Sequence, residues 1–297
     1  MQPHAWWNMN VETIDPAWEI AGVIRQLLAQ PASNDPTWKA FQVTMGSEIT
    51  GAEYFEILAV LRSRLSRFDQ FVKSIQDSEF DEELRQRIIW AIGNFGRAFE
   101  PAQQAKQWQE TRSRDILADD AMQLSWFSVI AKRHRPLRRL GEDDRKKLIT
   151  LIDEVLADID QRGDVPGWAK DPLAEGMRRL QLVLRYLLFF GHEEAIDELL
   201  NFYHRTMAIK QQITIDEAAG STDGQQKTIW KILTVLATLG TLLCFPDQAI
   251  TAFERYKGLY LRAMIQDERL PKNDQLLLPA PVAVEPRGVS EEEGKPK

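Results

Sequence analysis

Cysteine is almost missing from this chain of 297 residues: Cys244 stands alone. No internal disulfide and no thiolate metal cage can form, which fits a reducing compartment. Histidine is scarce too, at four residues, and neither His-Glu-x-x-His nor paired Glu-x-x-His spacing occurs. The chain lacks a Gly-x-Ser-x-Gly elbow and a Gly-x-x-x-x-Gly-Lys loop, and it has no sustained strand alternation on which to mount either. With these patterns absent, no catalytic residue, no metal ligand and no cofactor is expected, and the chain is read as non-enzymatic. Excess basic charge is also lacking. A net charge of −7 argues against a surface built to neutralise nucleic-acid phosphates. Residues 1–10 hold two tryptophans but no basic stretch leading into an apolar one, so no secretory signal is expected.

What the sequence does contain is helical periodicity. Asp15-Pro16 is an N-cap followed by proline at the first helical position, and Trp18, Val23, Ile24, Leu27 and Leu28 supply an apolar face. A loop over 31–36 precedes a short helix over 37–45. The strongest signal follows, with Tyr54, Leu58, Leu61, Leu65, Phe68, Val72 and Ile75 recurring in steps of four and three. Ile57, Val60 and Phe71 widen this seam, which suits a helix packed on two neighbours inside one bundle. A homo-oligomer built on the Tyr54 to Ile75 seam is the alternative use of the same pattern. Arg62, Arg64, Arg67 and Lys73 interleave with Glu53, Glu56 and Asp69, as on a solvated face. Leu84, Ile88, Ile92, Phe95 and Phe99 mark the next helix. Residues 102–114 read as its polar, exposed continuation, and Leu117, Leu124, Phe127 and Ile130 resume the pattern.

Beyond a basic run around Pro136, Glu142, Asp143 and Asp144 open a helix with stripe Leu148, Ile152, Val155 and Ile159. Residues 164–170 read as a loop, with Asp171-Pro172 starting the next helix and Gly191 ending it. Arg178 and Arg185 sit on this apolar helix, where pairing with a carboxylate in the bundle is the expected role and exposure on their stems the alternative. A helix from Glu193 with Ile196, Leu199, Leu200, Tyr203 and Met207 returns, and residues 213–224 read as a flexible loop. The acidic cluster beside His192, including Glu193, Glu194, Asp197 and Glu198, suits the positive end of that helix dipole better than a metal. The expected architecture is all-α, a bundle of roughly eight to ten amphipathic helices with no sheet. Its parts are an N-terminal bundle over 1–140, a C-terminal helical region over 141–270, and a disordered, proline- and glutamate-containing tail over 271–297.

Two stretches bear on function. The basic run, with Lys132, Arg133, Arg135, Arg138 and Arg139, is a candidate contact for an anionic partner, and dipole complementation at a helix C-terminus is its plainer role. The other is residues 228–245, TIWKILTVLATLGTLLCF, the first half of an apolar hairpin over 225–267. At 18 residues such a helix is roughly 27 Å long, short of the roughly 30 Å hydrocarbon core. Ile232, Val235, Leu236, Leu239, Leu242 and Leu243 cover most of it, while Lys231, Thr234, Thr238 and Thr241 share one face. Burial in the core and insertion in a membrane both fit that pattern, and core burial is the favoured reading. The expected function is that of a cytoplasmic helical interaction or regulatory protein binding another macromolecule, a protein in the first place. The alternative is a membrane-acting effector of toxin or defence type that releases the apolar hairpin.

Overall fold

The computed structural model describes residues 12–243 apart from 47–48, 50, 77–79, 162–164 and 219–225, with backbone alone for 216–218 and 226–227. The expected tail and the second half of the apolar hairpin lie outside these residues. The described part is all-α. Its helices are α1 (Pro16–Leu28), α2 (Thr37–Met45), α3 (Gly51–Ser74), α4 (Glu82–Arg97), α5 (Pro101–Gln104), α6 (Trp108–Asp115), α7 (Ala118–His134), α8 (Glu142–Gln161), α9 (Gly167–Arg185), α10 (Leu187–Ala218) and α11 (Gln226–Leu243). A two-residue ladder corrects the expectation of no sheet. β1 (Thr13–Ile14) pairs antiparallel with β2 (Leu137–Arg138), too short a match to leave a period-two pattern in sequence.

Local chemistry explains the helix ends. Asp15 accepts from the amides of Ala17 and Trp18 at 2.9 and 3.0 Å and receives the hydroxyl of Ser128 on α7, so one carboxylate both caps α1 and ties it to α7. Asp81 caps α4 through the Leu84 amide. Arg145 of α8 donates to the carbonyls of Leu184 and Arg185 at 3.1 and 2.8 Å, satisfying the open end of α9.

The wide stripe of α3 is buried within the chain. Tyr54, Leu58, Leu61, Leu65, Phe68, Val72 and Ile75 all lie in the core, where α3 packs against α4 and α10. The seam thus packs within the chain. One hydrophobic cluster runs from Ala17 to Leu243, and α1 contacts both α7 and α10. Helices from both sides of the boundary expected at 140 therefore share a core.

Four local readings need correction. Residues 102–114 are not an exposed continuation, because Gln104, Trp108 and Thr111 are buried. Trp108 meets Phe41 edge-on at 6.0 Å, and Phe41 meets Phe99 likewise at 5.1 Å. A single aromatic anchor has no period, so a polar stretch hid it. The start of α9 lies at Gly167, before Asp171-Pro172, since buried Val165 and Ala169 anchor the chain earlier. Pro172 near the start removes only one helical bond. Residues 213–218 continue α10 instead of forming a loop, with Ile213 buried. Arg178 and Arg185 are exposed, whereas Arg64, assigned by its neighbours to a solvated face, is buried and paired with Glu19.

Candidate interaction surface

α7 begins with Asp119 and Asp120 and ends with Lys132, Arg133 and His134, both favourable to the helix dipole. Its inner face is Ala121, Leu124, Phe127 and Ala131. Its outer face repeats the same spacing with the wrong residues for solvent: Met122, Trp126 and Val129 stand at i, i+4 and i+7 and are 45, 62 and 63% exposed. A hydrophobic stripe facing outward on a helix already packed on its other side is an informative exception to burial.

Its flanks extend the surface. The Arg25 guanidinium of α1 lies 4.8 Å over the ring of half-exposed Trp18 and donates to Ser125 Oγ at 2.8 Å, one residue before Trp126. Arg133 continues the stripe one turn beyond Val129.

The basic run divides in two. Lys132 and Arg133 are exposed, and among the described residues neither is seen in an ion pair. The other three have partners within the chain. Arg135 lies 4.5 Å over the Phe71 ring and 3.4 Å from Glu193. Arg138 donates to the Thr241 carbonyl of α11 at 2.6 Å, and Arg139 to Glu12 at 2.6 Å. Sequence density alone treated them alike; contacts with Phe71, Glu193, Thr241 and Glu12, all distant in the chain, separate the last three from the first two.

The apolar stretch of α11 faces inward. Ile232, Val235, Leu236, Leu239 and Leu243 are buried, and Leu242 packs against the same cluster. Thr234, Thr238 and Thr241 face outward, donating to the carbonyls of Trp230, Thr234 and Thr238. Lys231 pairs with Asp158 of α8 at 2.7 Å. Among the described residues no helix is long and apolar enough to cross a membrane.

A buried polar centre joins three helices. Arg64 of α3 is 2% exposed; it donates to Glu19 Oε2 of α1 at 2.5 Å and to the carbonyls of Leu188 and Phe189 at 3.2 and 3.3 Å. His192 of α10 receives the Leu140 amide on Nε2 at 3.0 Å, so its proton sits on Nδ1, 2.5 Å from Glu19 Oε1. The His192 amide donates to the same oxygen at 3.0 Å. Burial pushes the Glu19 carboxyl up, but the Arg64 charge and the His192 hydrogen bonds outweigh it and hold the group below the usual carboxylate range. Every polar atom here is satisfied from within, which is the signature of a structural tie. Nearby acids serve arginines: Arg67 pairs with Glu194 and Asp197, and Arg179 with Glu56 and Glu198.

A polar cleft of about 490 Å³ opens between Glu53 and Glu56 of α3, Glu175 and Arg178 of α9, and Glu198 and Arg205 of α10. Its charges alternate in sign, and Arg179 already bridges two of the carboxylates, so it offers no field of one sign to a ligand. Among the described residues no group of three or more His, Cys, Asp or Glu side chains is placed to hold a metal. No protein-family model, curated protein or solved structure matches this chain.

Proposed function

We propose that the chain is a non-enzymatic helical interaction protein that binds a protein partner through the outward face of α7, and that the partner presents an acidic amphipathic helix. The observation that carries this is the exposed Met122, Trp126 and Val129 stripe, spaced as helix-in-groove anchors are. The acidic character of the partner is argued from charge. Lys132 and Arg133 lie on the last turn of α7, an exposed local excess of positive charge in a chain of net charge −7. Aromatic anchors beside cations are the usual composition of binding hot spots. The lone Cys244 supports a reducing, cytoplasmic setting.

The test uses two synthetic helices with identical apolar stripes, one with glutamate and one with lysine on its flanks, and follows Trp fluorescence of the full chain. Binding of the glutamate helix alone is expected, weakened at least about tenfold by Trp126→Ser with Val129→Ser and made less salt-dependent by Lys132→Gln with Arg133→Gln. Flotation with anionic vesicles runs in parallel. If the chain floats, and the same substitutions abolish flotation while neither helix binds, the face is a membrane contact and the proposal is wrong.

A further inference from the structure

Asp120 is the least satisfied group in the described residues. It is fully buried, in the first turn of α7; neither carboxylate oxygen is matched at good hydrogen-bond geometry, and the Asn94 side chain of α4 is the group placed to donate to it. Gln123 Oε1, one turn along the same helix, is buried and unmatched as well, and Asn94 Nδ2 of α4 reaches Asp120 only at poor geometry. Asn94 Oδ1 accepts from Arg97 at 2.5 Å, which fixes the amide. An ionised carboxylate buried with so little to match it is costly, whereas a protonated one loses most of that cost.

We propose that the α4–α7 contact is a pH-responsive latch, tight when Asp120 carries a proton and loosened when that carboxyl ionises. The surroundings support it from each side. From α4, Asn94 and the Arg97 guanidinium favour the charged form, but Arg97 is already engaged by Asp115 of α6, which Arg114 also holds. From α7 itself, Asp119 repels a second negative charge. α1 directs Arg25 to Ser125 and Asp15 to Ser128, both farther along the helix, and α3 meets α7 through the rings of Phe68 and Phe71 on Phe127. Burial prevails over these neighbours and pushes the Asp120 carboxyl up to about 6.

The sign follows from linkage. The folded chain holds the Asp120 proton up to about pH 6 while the unfolded chain releases it near the ordinary value of 3.8. Stability from this group is full below 3.8, falls by up to about tenfold in the folding constant per pH unit between the two values, and is level above. Asp15, also raised by burial, adds a drift in the same direction, so the difference between wild type and Asp120→Asn isolates the latch.

Denaturant unfolding of the full chain is measured for wild type and Asp120→Asn at pH 4 and pH 8. The expected gain on substitution is about a hundredfold in the folding constant at pH 8 and within about threefold at pH 4. Equal gains at both pH values, or a loss at pH 8, overturn the latch. A carbon-detected NMR titration of Asp120 in the wild type needs no variant; a midpoint near pH 6 supports the proposal and one below pH 4.5 sinks it. Neither measurement involves a partner, so this inference and the interaction reading fail separately.

Discussion

At the scale of single residues, the difference between an arginine on the surface and one in the core is whether its donors are matched. Arg64 is buried with Glu19 and the carbonyls of Leu188 and Phe189. Removing one member of such a pair leaves the other charge buried and unmatched, so Arg64→Ala is expected to cost about 3–5 kcal/mol, read from denaturant unfolding. Glu19 gives the pH counterpart. Its carboxyl is held below the ordinary 4.5, so its stabilisation is present above that value and lost as pH falls through the lower folded value. Glu19→Gln should therefore flatten the acid limb of the stability profile while lowering stability at pH 7; an acid limb of unchanged steepness would contradict the pairing. Asp120 acts on the other limb, as argued above. Neither role was legible in sequence, where Glu19 and Arg64 stand 45 residues apart among ordinary helix charges.

At the scale of elements, two glycines set how closely helices approach. Gly191 breaks α10 near its start with φ of 81°, and a Cβ there would lie 2.4 Å from the Arg64 guanidinium carbon. Its backbone is one that L side chains rarely adopt, worth about 1–3 kcal/mol by itself, and the clash would also displace Arg64. Gly191→Ala is thus expected to cost at least as much as the strain alone. Gly176 of α9 packs against the Phe202 ring of α10, with 2.2 Å from a Cβ to the ring. Gly176→Ala should push the two helices apart at about 1–3 kcal/mol, with Phe202→Leu restoring part of the loss; no rescue would mean the ring is not the obstacle. The helices themselves were well read from periodicity, including α1, α2, α3, α4, α7, α8 and α11. The errors fell where periodicity carries no information, at the lone anchor Trp108, at Pro172 within α9 and at the last turns of α10.

At the scale of the whole molecule, the described helices share one core. Glu19 of α1 bonds His192 of α10, and α11 buries its apolar face on α8 and α10. Separate expression of residues 1–140 and 141–297 is expected to give neither half with cooperative unfolding, measured by circular dichroism against denaturant. A cooperative transition in either half alone would restore an independent domain. Deleting residues 226–243 should likewise expose the α8–α10 core and abolish cooperative unfolding, because several buried side chains at about 1.5–3 kcal/mol each exceed the margin of a typical fold.

By itself the sequence determined that the chain is helical, which faces of most helices are apolar, and where many of them start, because capping residues and hydrophobic spacing act over one or two turns. It also held the exposed stripe of α7, since Met122, Trp126 and Val129 are as plain in sequence as the inner face. Which of the two faces met solvent was decided only when α1 and α4 packed on α7. Tertiary structure likewise decided that α11 lies against α8 and α10, that Arg138 ends on α11 while Arg133 points out, and that Asp120 is buried with so little to match it. Helix spacing fixes which residues share a face, but burial and charge matching depend on neighbours distant in the chain, and only the folded core brings those together.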